Sequence, residues 1–166
     1  MNVIVTGISG GVVGDQIMKA LLQFPEKYKI LGVDSNNLCT GFKRSYFSPQ
    51  CIPLAKYEKN YLESLLKLCN YYNIEAIFFG SEPEIVLVSK NRKLFNGIYL
   101  AINEEKVIDI CSDKIKTISF LKENNFECLK TEFISSKADF DKVDFYPVVL
   151  KPSGTTSGSK NVYIAQ

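Results

Sequence analysis

The sequence predicts an α/β protein built on a Rossmann-like parallel sheet, and three observations carry the prediction. Strand-like and helical patterns alternate four times in about the first 110 residues, the rhythm of a doubly wound sheet. A glycine-rich segment, Gly7 to Gly14, joins the first strand-like run to the first helical one. The bulk composition is globular: 166 residues, 46% hydrophobic, 23% charged, net charge +2.

The elements follow in order. Residues 2–5 are a short β-branched run, and Ile17, Ala20, Leu21 and Phe24 then recur at helical spacing. Lys29 to Val33 reads as a second strand ending at Asp34, and a short strand is expected around Cys51 to Leu54. Leu62, Leu65, Leu66 and Cys69 fall at i, i+3, i+4 and i+7, one face of a helix. Ala76 to Phe79 is the next strand, 81–96 a helix, 98–102 a strand and 104–111 a short helix. The rhythm changes there, which places a boundary between a first unit, 1–111, and a second, 112–166. In the second unit Ser112 is the expected N-cap of a helix carrying Ile115, Ile118, Phe120 and Leu121. Strands are expected at 131–134, 146–150 and 162–165, with a short helix at 135–140.

Composition restricts the chemistry. With no histidine in the chain, Ser–His–Asp and Cys–His catalysis and histidine-ligated metals are excluded within it. The near-balanced charge gives no field for nucleic acid or an anionic membrane surface. Five cysteines, at 39, 51, 69, 111 and 128, show no C-x-x-C pair and read as reduced thiols with apolar packing roles. No apolar run approaches the ~20 residues that span a bilayer, and the N-terminus lacks a signal-peptide pattern, so a cytoplasmic protein is expected.

Two segments of the first unit could serve a ligand. In VTGISGGVVG the backbone N–H groups around Gly7, Gly10 and Gly11 could cradle an anion, and Asp34 stands where a dinucleotide fold places its ribose-binding acid. Ser9 occupies the first glycine position of a G-x-G-x-x-G frame, so the segment equally reads as a tight strand-to-helix turn. In FFGSEPE, Glu82 follows a strand end, while Ser81-x-x-Glu84 has the spacing of a capping box. Tyr57, Tyr61, Tyr71 and Tyr72 read as core and rim, and Lys90, Arg92 and Lys93 as a solvated helix face.

The second unit carries the stronger signal. In YPVVLKPSGTTSGSKNV, Lys151 stands at the end of an apolar strand, held where a point charge can meet a phosphate. The following loop, Ser153, Gly154, Thr155, Thr156, Ser157, Gly158 and Ser159, has small side chains that let backbone N–H groups approach a triphosphate. It is longer than a hairpin turn needs.

With SDKIKTISFLKENNF upstream, this segment resembles the ATP-grasp superfamily, particularly chains similar to the carbamoyl-phosphate synthetase large subunit. VTGISGGVVG, GVD and FGSEPE resemble the pre-ATP-grasp domain, so the resemblance covers essentially the whole chain. It implies that 112–166 is the first, incomplete lobe of an ATP-grasp domain, with Lys114 and Lys151 at the two nucleotide-contacting positions. It implies ATP as cofactor, with magnesium held by residues downstream of Gln166, so no catalytic residue and no metal ligand is expected within this chain. The implied parent activity is ATP-dependent ligation: a carboxylate or bicarbonate is activated as an acylphosphate for attack by an amine or ammonia. Small molecules are the implied partners, with a homodimer left open and neither nucleic acid nor membrane. Asn161 departs from the family, which has glycine there, but Asn is the next best residue for a left-handed turn. Two other readings remain: an NAD(P)-binding Rossmann protein, and a non-catalytic fragment that binds a partner protein through its last strand.

Overall fold

The computed structural model describes residues 1–10, 13–153 and 161–166. The chain divides into two compact units, Met1–Glu105 and Lys106–Gln166.

Among the described residues the first unit holds five strands, β1 (Asn2–Thr6), β2 (Lys29–Asp34), β3 (Gln50–Cys51), β4 (Ala76–Phe78) and β5 (Tyr99–Leu100). They form one sheet in the order β3-β2-β1-β4-β5, every pair parallel, as the alternating pattern predicts. Parallel neighbours require crossover connections, and helices α1 (Val13–Leu21), α2 (Glu58–Tyr71) and α3 (Glu82–Lys90) supply three of them. Side chains alternate faces along a strand, and β1 uses both. Ile4 joins Leu31, Tyr61, Leu65, Ile77 and Val88 in one core, whereas Val3 and Val5 join Ile8, Met18 and Ile30 in another. Both faces of the sheet are therefore covered, the condition under which a parallel sheet is stable.

The helix ends explain several boundaries. Asn73 takes φ +49° just past α2, and the N–H of Ile74 returns to the carbonyl of Cys69 at 2.9 Å, closing a Schellman motif. The helix expected over 81–96 breaks at Asn91, and Arg92–Phe95 continues as a 3-10 turn. The strand expected at Cys51–Leu54 is shorter and earlier, at Gln50–Cys51.

The second unit holds α4 (Glu105–Ser112), α5 (Lys114–Glu123), α6 (Lys137–Phe140) and an antiparallel pair, β6 (Val148–Leu150) with β7 (Tyr163–Ala165). The N-cap of α5 is Asp113 and not Ser112: its carboxylate accepts from the N–H groups of Ile115 (2.8 Å) and Lys116 (3.2 Å), while Ser112 closes α4. One aspartate thus meets two of the helix's unpaired donors. Asn125, at φ +59°, ends α5 with a second Schellman bond from Phe126 to Leu121. α6 has a capping box, Ser136 with Asp139.

No strand forms at 131–134, although Thr131, Phe133 and Ile134 have strand propensity. Propensity alone does not make a strand without a partner, and the two described strands of this unit pair with each other. The thiols also differ from expectation. Cys39 and Cys69 are buried, but Cys51 and Cys111 are exposed and Cys128 is half-buried; all five are free. Among the described residues, no helix is long and apolar enough to cross a membrane.

Candidate functional site

In the observed strand order the chain turns back after β3 and places β4 on the other side of β1. The ends of β1 and β4 therefore diverge into opposite crossovers, the switch point where open α/β sheets bind ligands. Gly7, at φ +60°, turns the chain out of β1, and Gly80 follows β4. A side chain on Gly14 or Gly80 would collide with the carbonyl oxygen of Thr6, and one on Gly7 would meet the backbone of Gly80 at 3.2 Å. These three glycines let the end of β1, the start of α1 and the end of β4 close on one another, which is the tight-turn reading of the motif. Gly10 is exposed, and Gly11 lies outside the described residues.

Asp34 is buried at the end of β2, and both its oxygens are engaged. Oδ2 accepts from the N–H (2.9 Å) and hydroxyl (3.0 Å) of Ser9, and Oδ1 accepts from the N–H of Asn36 (2.9 Å). It ties the glycine turn to the loop after β2. Glu82 opens α3 and is exposed at the crevice.

Below Glu82 lies a cluster that spacing could not reveal. Glu84 is buried, and its carboxylate accepts three hydroxyl protons: Thr6 (2.7 Å), Ser81 (2.7 Å) and Tyr61 (3.0 Å). Thr6 Oγ1 in turn accepts from the N–H of Gly80 at 3.1 Å. The capping box expected from Ser81-x-x-Glu84 is absent. The Ser81 hydroxyl caps no helix N–H and donates to Glu84 instead, because a carboxylate is a stronger acceptor than the hydroxyl is a cap. Burial, with Glu84 alongside, pushes the Tyr61 phenol far above its usual range. Burial likewise pushes the Cys69 thiol up to about 12.

Sequence reasoning also passed over Asp15. Buried in the first turn of α1, it pairs with Lys19 at 2.8 Å and with Arg44 from the 3-10 turn after β2. The Asp15–Lys19 spacing of four was a readable signal, whereas Arg44 was not locatable without the fold.

In the second unit Lys114 opens α5 and Lys151 follows β6 directly; both side chains are exposed. Ser153 is exposed too, and Gly154, Thr155, Thr156, Ser157, Gly158 and Ser159 lie outside the described residues. Asn161 takes a left-handed conformation, at φ +56°. Among the described residues no group of three Cys, Asp or Glu side chains converges to hold a metal ion, so these residues do not fit a magnesium site.

The sequence matches no known family profile and no curated protein. Solved structures do match the fold. An L-amino acid ligase from Bacillus licheniformis superposes with a TM-score of 0.74 at 17% identity, over 99% of this chain and 38% of its own. The biotin carboxylase domain of the Hydrogenobacter thermophilus 2-oxoglutarate carboxylase, a dimer in complex with MgADP, ADP and bicarbonate, gives 0.66 at 18% identity, over 98% of this chain and 37% of its own. The N5-carboxyaminoimidazole ribonucleotide synthetase from Thermotoga maritima gives 0.61 at 15%, over 99% and 40%. This chain thus spans about two-fifths of the length of each. All three are ATP-grasp enzymes, and the fold described above is the one this chain shares with that portion of them.

Proposed function

We propose that this chain is the N-terminal portion of an ATP-dependent ligase. The activity proposed is activation of a carboxylate or bicarbonate as an acylphosphate for attack by an amine or ammonia. The observation that carries the reading is the setting of Lys151. It is exposed immediately after β6 and precedes a Ser/Gly/Thr-rich segment, in a chain whose fold follows three ATP-grasp enzymes almost end to end. Phosphoryl transfer depends mainly on positioning and on neutralising charge, which a chain without histidine can serve. Lys114 and Lys151 neutralise phosphate oxygens, and the small residues from Ser153 to Ser159 allow backbone N–H groups close to them. ATP supplies the phosphoryl group; magnesium is assigned no ligand among the described residues. A carbamoyl-phosphate synthetase-like acceptor chemistry is the finer form of the proposal.

The crevice at Gly7, Gly80 and Glu82 is the proposed acceptor-facing edge. A nicotinamide cofactor is the weaker reading, because Asp34 already spends both carboxylate oxygens on Ser9 and Asn36. The test is turnover in a chain extended to the length of its structural neighbours. Lys151→Ala and Lys114→Ala should each lower ATP-dependent turnover markedly without unfolding the protein. Full activity in the extended Lys151→Ala variant overturns the assignment.

A further inference from the structure

We infer that Glu84 is the positioning residue of the switch-point crevice, acting through the turn Gly80–Glu82 rather than on a ligand. A buried carboxylate is costly unless its acceptor capacity is filled, and an apolar residue would pack this side of α3 at lower cost. Glu84 is filled by three hydroxyls from three separate elements: Thr6 at the end of β1, Tyr61 in α2 and Ser81 at the start of α3. Thr6 passes the constraint on, since its oxygen accepts the Gly80 N–H while its proton goes to Glu84. The result is a chain of directed bonds, Gly80 N–H to Thr6 to Glu84, with Ser81 joining from the other side of the same turn. In such a chain each bond polarises the next, so removing the acceptor weakens all of them together. The turn so fixed is the one that presents Glu82 at the crevice mouth. Tyr61 anchors the carboxylate from below, and its own burial keeps the phenol protonated as a donor.

The functional consequence rests on the proposal that this crevice faces the acceptor substrate; the geometry does not, and it is read without any ligand. The experiment is amide hydrogen exchange by NMR on the 166-residue chain, comparing Gly80 with Val5 in the central strand. Glu84→Gln should speed Gly80 exchange by about tenfold beyond any change at Val5, as expected for losing a charge-assisted network. Ser81→Ala should show a smaller selective rise, and Ser81→Thr, which keeps the hydroxyl, should restore the wild-type rate. Equal acceleration at Gly80 and Val5, or no change at Gly80, overturns the inference. Where Glu84→Gln does not fold, the Ser81 pair decides: a Ser81→Thr variant behaving as Ser81→Ala overturns it. The extended-chain turnover test separates the two claims, because its failure refutes the ligase reading and leaves the exchange pattern of the 166-residue chain standing.

Discussion

Cys69 and Tyr61 set how this protein responds to alkali. Both titrate as acids, and both are pushed up by burial, Cys69 from about 9.0 to about 12 and Tyr61 upward from about 10.0. In the unfolded chain each ionises near its ordinary value, while in the folded protein each holds its proton to higher pH. Stability is therefore fully present below about pH 9 and falls as pH rises through 9 to 12. The thermal midpoint should drop steadily over that window, and Cys69→Ala should remove the part that begins nearest pH 9. A midpoint flat to pH 11 would contradict the burial of these groups. The glycines give a steric prediction. Gly80→Ala places a Cβ against the Thr6 carbonyl and 2.9 Å from Gly14, atoms of backbone that cannot swing aside. It should cost about 3 kcal/mol in denaturant unfolding. Gly97 has open space around it but φ +82°, so Gly97→Ala reads backbone strain alone and separates it from collision.

Among the elements, β1, β2, β4, α1, α2 and α3 were legible in the sequence because their signals are local: short apolar runs, i, i+3, i+4 spacing and a glycine turn. Glu84 was not, since its partners Thr6 and Tyr61 lie 78 and 23 residues away and a local cap explained the same letters. The missing strand at 131–134 has the same cause, for pairing is a non-local fact. Lys151 and Lys114 were legible as exposed lysines at element ends. The element scale also yields a test of Asp15. Removing Arg44 by Arg44→Ala leaves this buried carboxylate with the half-exposed Lys19 as its described cation. A loss of about 2 kcal/mol is expected, less than for a fully orphaned buried charge. Arg44→Lys should recover part of it.

At the scale of the whole molecule the two units differ in how much they bury. Among the described residues the buried apolar side chains belong to the first unit except Ile108, while Leu129, Phe133, Val149, Tyr163 and Ile164 stand exposed in the second. A two-stranded pair such as β6–β7 is marginal by itself. Hydrogen exchange should therefore find the strongest protection in β1, β2 and β4 and the weakest in β6 and β7; equal protection in both units would contradict this. The central claim, that Lys114 and Lys151 meet a nucleotide phosphate, is tested most directly by calorimetric titration of the 166-residue chain with ATP–Mg²⁺ and with NAD at two salt concentrations. On an open surface each lysine–phosphate contact is worth about 1 kcal/mol or less, so weak, salt-sensitive ATP binding is predicted, reduced in Lys114→Ala and in Lys151→Ala, with no binding of NAD. ATP binding indifferent to both lysines, or low-micromolar NAD binding lost in Asp34→Ala, would contradict the account.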